Sequence, residues 1–123
     1  GICLGKQLFF ERSEESERAQ GLNVINGVVK RFQPGKKIPH IGWNQIHIKN
    51  DTPLLKNIPD GSYFYFVHSY FGVPENPDNI YSTTDYEEDF PSIIGRDNIF
   101  GIQFHPEKSQ NLGLEILKNF AEL

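Results

Sequence analysis

The chain has 123 residues, with twelve Lys and Arg against sixteen Asp and Glu, a net charge of −4 and a single cysteine. No basic block exceeds the pair Lys36, Lys37, which argues against nucleic acid, and no apolar run approaches the roughly 18 residues of a membrane span. One cysteine cannot close an internal disulfide, which favours a reducing, cytoplasmic setting, and the absence of Cys pairs and of H-E-x-x-H disfavours a metal.

In chain order, Leu4, Leu8 and Phe9 recur at helical spacing and predict a helix that starts at or just after Cys3 and ends in the polar run 11–20. Residues 21–27 read as a loop, after which Val28, Val29 and Phe32 predict a strand stopped by Pro34-Gly35. Alternation over 46–49 predicts a half-buried strand. The unbroken aromatic and β-branched run 63–67 predicts a strand covered on both faces and central in a sheet. Residues 80–84 and 99–104 predict two more strands, the second with Gly101 as a point of kinking. From Ser109 as N-cap, Leu112, Ile116, Leu117, Phe120 and Ala121 form the apolar stripe of a C-terminal helix. Strands in the middle and helices at both ends predict a single α/β domain over 1–123 with a mixed sheet, antiparallel where turns join the strands and parallel at the helix-linked ends.

Gly1-Ile2-Cys3-Leu4-Gly5 matches the nucleophile-elbow pattern with Cys in the Ser place. A thiol at a helix N-terminus is expected to ionise more readily, and the Leu4 N–H is placed to stabilise an oxyanion; the alternative is a small buried hydrophobe. Such a nucleophile needs a histidine base and an orienting third group. Among His40, His47, His68 and His105, the last is the candidate: it follows a predicted strand, and spacing of two in extended chain puts His105 and Glu107 on one face. His47 reads as a polar-face strand residue, and His40 and His68 as structural histidines beside turns or strand ends.

These features, with G-I-C-L-G-K-Q-L at 1–8, P-H-I-G-W-N at 39–44, Y-F-V-H-S-Y at 65–70 and G-I-Q-F-H-P-E-K-S at 101–109, resemble the class I glutamine amidotransferases. The second and third words narrow the resemblance to the glutaminase subunits of imidazole glycerol phosphate synthase. The resemblance implies a three-layer, flavodoxin-like α/β fold with a mixed sheet and no cofactor. It implies a triad of Cys3 as nucleophile, His105 as acid and base, and Glu107 as orienting carboxylate. It further implies that Leu4, Gln7, Glu15, His68, Ser69 and Tyr70 bind glutamine. Trp43, Asn44 and Lys108 would face a (β/α)8-barrel cyclase, in a heterodimer serving histidine biosynthesis.

Two positions depart from the family pattern: Lys6, where Met is usual, and Glu87, where Gly is usual. The chain starts at Gly1 and contains no methionine, and the resemblance implies that it is a partial domain, lacking the N-terminal strands and the second oxyanion donor that family members carry and therefore poorly active alone. Two other readings have the same residues serve a paralogue that feeds ammonia to a sugar-modifying enzyme of surface polysaccharide synthesis, or a non-catalytic binding module.

Overall fold

The computed structural model describes every residue except Glu17 and Lys36. A four-residue helix α1 (Leu4–Gln7) opens the chain, followed by β1 (Arg12–Ser13), β2 (Gly27–Arg31), β3 (His40–Gln45), β4 (His47–Ile48), β5 (Tyr63–His68), β6 (Tyr70–Pro74), β7 (Ile80–Asp85), β8 (Asp89–Arg96), β9 (Ile99–Ile102) and a closing helix α2 (Gln110–Ala121). The strands form three groups: β1-β2-β6, a β3-β5 ribbon, and β4-β7-β8-β9.

The mixed character predicted from sequence is present. Neighbours joined by turns, such as β7-β8 and β8-β9, run antiparallel, whereas β1 pairs β2 in parallel and Ile2 bridges Ile102 in parallel. That last bridge lays the segment leading into the elbow beside the end of β9.

Several expectations need correction. The first helix stops at Gln7 because the chain turns back at Leu8 to Phe10, and the polar run beyond holds β1. Residues 40–45, 70–74 and 89–96 form strands that apolar periodicity did not pick out, since Gly42, Gly72, Pro74 and Pro91 interrupt it. β5 is neither central nor covered on both faces: among the described residues it pairs only with β3, and Phe64, Phe66 and His68 are buried while Tyr63 is 55% exposed. Its other edge is taken by irregular chain, with the His105 N–H donating to the Tyr65 carbonyl at 2.9 Å and the Tyr65 N–H to Ser109 Oγ at 3.0 Å. Ser109 therefore stands at the N-cap position of α2 without capping it, because its hydroxyl lies between β5 and the His105 carbonyl, to which it donates at 2.7 Å.

The core is aromatic. Phe64 stacks on Phe104 with ring centres 4.3 Å apart, and Phe66 and Phe90 meet edge to face at 5.8 Å, the offset geometries that ring quadrupoles favour. Ile116 of α2 is fully buried in the same cluster, and α2 approaches so closely that a Cβ at Gly113 would lie 1.9 Å from the Pro106 carbonyl oxygen. Glu87, in the β7-β8 turn, adopts φ 62°, the left-handed conformation a glycine takes without a Cβ clash.

Candidate active site

Cys3 sits on the elbow with φ 53° and ψ −109°, a backbone combination that a side-chain-bearing residue rarely adopts. It is held there by its N–H donating to the Ile102 carbonyl at 2.7 Å and by the Lys6 N–H donating to its own carbonyl at 3.1 Å. Gly1 is required by space, because a Cβ on it would lie 2.7 Å from the Gly5 backbone; a Cβ on Gly5 would meet nothing.

The thiol is half-buried, donates toward the Val67 carbonyl at 3.7 Å and receives the Gln103 amide N–H at 3.8 Å. Burial pushes it above its ordinary range, and the Glu107 carboxylate adds to that rise. The Leu4 N–H, the Gln103 amide and Lys6 pull the other way without overcoming burial. This corrects the expectation of an easily ionised thiol. A four-residue helix contributes little dipole, and desolvation of the charged form dominates. A base is therefore needed to remove the proton near neutral pH.

His105 and Glu107 lie where β9 runs out. The His105 ring Nδ1 is 2.6 Å from Glu107 Oε1, and Pro106 between them opens the short turn Pro106–Lys108. With Nδ1 held by the carboxylate, Nε2 is the nitrogen left to exchange a proton. Because Cys3 is bonded to Ile102, three residues before His105, elbow and His-Glu pair share one end of the sheet. Gln103 was not among the candidates, although its spacing of two from His105 was a usable signal; it is fully buried with Oε1 unpartnered.

Lys6 is fully buried, its ammonium donating to the Pro91 carbonyl at 2.7 Å, and burial lowers its pKa to about 7. Gly101 makes room for it: a Cβ there would lie 2.7 Å from Lys6 Cγ.

Leu4, Gln7 and Glu15, three of the expected glutamine contacts, line one small cleft of about 150 Å³ together with Leu8, Arg12 and Ser13. The other three, His68, Ser69 and Tyr70, do not line it. The Tyr70 carbonyl accepts from Gln7 Nε2 at 3.1 Å and lies 2.9 Å from His68 Nδ1, and the Ser69 carbonyl accepts the Phe32 N–H. Of the expected partner-facing residues, Trp43 is 47% exposed and Lys108 is exposed, whereas the Asn44 side chain turns toward Asp85 and His40. Trp43 and Ser109, next to Lys108, line one surface groove of about 430 Å³. Among the described residues no cluster of His, Cys, Asp and Glu has the makings of a metal site, and no helix is long and apolar enough to cross a membrane.

The chain is 51% identical to imidazole glycerol phosphate synthase subunit HisH of Methanocaldococcus jannaschii, with 100% of this chain and 62% of that protein aligned. It is 53% identical to the subunit of the same name from Pyrococcus furiosus, over 100% of this chain and 63% of that protein. The chain thus spans less than two thirds of the length of these relatives. Its backbone also superposes on the crystal structure of a glutamine amidotransferase from Thermotoga maritima with a TM-score of 0.64, at 20% identity, covering 99% of this chain and 46% of that one. The profile of the family described as glutamine amidotransferase class-I matches residues 1–123, and the chain belongs to that family.

Proposed function

We propose that this chain carries the nucleophile, the base and the glutamine cleft of a glutaminase that releases ammonia for a (β/α)8-barrel cyclase. The observation that supports it most is the juxtaposition of the strained Cys3 elbow with the His105-Glu107 pair at the end of β9. Cys3 sulfur adds to the side-chain amide carbon of glutamine as His105 accepts the thiol proton, and the Leu4 N–H faces the resulting oxyanion. His105 returns the proton to the departing nitrogen, which leaves as ammonia. Water, deprotonated by the same histidine, then hydrolyses the γ-glutamyl thioester to glutamate and free thiol. Glu107 fixes the ring and stabilises its charged form.

The names and identity of the relatives support a subunit of imidazole glycerol phosphate synthase in histidine biosynthesis, and we read it as the hydrolase of a cytoplasmic heterodimer whose other subunit is a lyase. There the ammonia enters the cyclase reaction that yields imidazole glycerol phosphate and aminoimidazole carboxamide ribotide. The exposed Trp43 and Lys108 mark the face we assign to that partner, and the Asn44 side chain, turned toward Asp85 and His40, is not part of it.

The test uses the protein expressed from its full reading frame together with a cyclase subunit. Cys3→Ala is expected to abolish glutamate release, and Glu107→Gln to lower kcat by a factor on the order of 10²–10⁴. Unchanged turnover in Cys3→Ala would refute the assignment.

A further inference from the structure

We propose that Asn44, His40 and His68 form a one-way chain of hydrogen-bond donors that holds the Tyr70 carbonyl, and through it Gln7, at the edge of the glutamine cleft. The role rests on the glutaminase reading of that cleft; the direction of the chain does not.

The direction follows from its two ends, which are set independently. At one end, Asn44 Nδ2 lies 2.8 Å from the Asp85 carbonyl and 3.3 Å from His40 Nε2, while its Oδ1 accepts the Gln45 N–H at 2.7 Å. A flipped amide would set oxygen against a carbonyl and NH2 against an N–H, so the orientation is fixed and His40 Nε2 is an acceptor. The hydrogen of neutral His40 is then on Nδ1. At the other end, His68 Nδ1 lies 2.9 Å from the Tyr70 carbonyl, which only accepts, so that nitrogen carries the hydrogen and His68 Nε2 is an acceptor. The ends meet at His40 Nδ1 and His68 Nε2, 3.1 Å apart, with one donor and one acceptor.

Protonating His68 would set two N–H groups against each other across that gap, and protonating His40 would do the same against the Asn44 amide. The surroundings also disfavour charge. His40 lies between the rings of Phe66 and Tyr86, stacked at 5.0 and 4.1 Å, and Phe32 and Phe90 close over both imidazoles. Burial accordingly lowers His40 to about 4 and His68 to about 3, with His40, Lys6 and His105 adding positive charge against the latter. Tyr70 receives a second donor, Gln7 Nε2, which fixes the rotation of that amide and leaves its oxygen as the acceptor offered to a ligand ammonium group.

The experiment is long-range proton–nitrogen NMR on the full-length protein labelled at its histidines, four of which lie in this chain. Two signals, identified by their loss in His40→Gln and His68→Asn, are expected to report neutral rings protonated at Nδ1 at pH 7. Either ring protonated at Nε2 there, alone or as imidazolium, overturns the chain. For the positioning role, Asn44→Asp replaces a donor with an acceptor. It is expected to move the His40 hydrogen to Nε2 and to raise KM for glutamine about tenfold, the loss of roughly one hydrogen bond, with kcat changed far less. His68→Asn, whose amide can reach Tyr70, should raise KM less than His68→Leu. A shifted His40 signal with unchanged KM overturns the positioning role. Wild-type protein that never turns over glutamine would instead overturn the reading of the cleft and the task given to Gln7, and the spectra alone would then decide the direction of the chain.

Discussion

The β3-β5 ribbon has two unlike sides. On the inner side, Phe64 and Phe66 are fully buried and His40 and His68 are exposed by no more than 5%, packed among Phe32, Phe90 and Phe104. On the outer side, Ile41, Trp43 and Tyr63 are 47–56% exposed, although they alternate with the buried residues along the same two strands. Strand geometry alone separates them, since successive side chains point to opposite faces. The inner side holds the core and the support for the cleft, where small changes propagate; the outer side is apolar surface whose value lies in what covers it.

The sharpest break in that contrast is Phe66→Ala. Truncating a fully buried phenylalanine is expected to cost about 3–5 kcal/mol of unfolding free energy in urea titrations; a loss under about 1 would mean that the inner side is not close-packed.

Next comes acid sensitivity. His40 and His68 bind protons in the unfolded chain near their ordinary pKa of 6.5 but in the fold only near 4 and 3. Below 6.5 the unfolded state therefore binds more protons, and stability falls with pH through the window from 6.5 to about 3, above which it is fully present. Melting temperature against pH should lose part of this slope in His40→Gln and in His68→Asn.

Lys6 has the same sign at higher pH. Its folded value of about 7 lies below the ordinary 10.5, so stability rises between those limits. Lys6→Met should flatten that rise, read as melting temperature against pH between 7 and 10.5, and an unchanged slope would show that Lys6 does not titrate in the fold.

On the outer side, Trp43→Ala should change stability by less than about 1 kcal/mol while weakening capture by the cyclase subunit, measured by titration calorimetry. A large stability loss would place Trp43 with the core.

Sequence made the elbow, the His-Pro-Glu turn and α2 legible because each is a local pattern: glycines around a cysteine, a spacing of two, an apolar stripe. It did not reveal β3, β6 or β8, whose apolar alternation is broken by Gly42, Gly72, Pro74 and Pro91. Pro91 is informative, since it lacks an N–H yet its carbonyl holds Lys6. Continuous apolarity over 63–67 suggested two covered faces, but Tyr63 tolerates water through its hydroxyl. The histidine chain joins residues 28 apart in sequence, and no local spacing signals it.

Gly113 touches the turn that carries His105 and Glu107 at the Pro106 carbonyl. The helix therefore acts as a backstop with no clearance: the turn has no room to recoil toward α2. Mechanically, this makes the C-terminal helix a reference plane for His105 and Glu107, so a methyl group added there is a displacement applied to the pair to which we assign proton transfer.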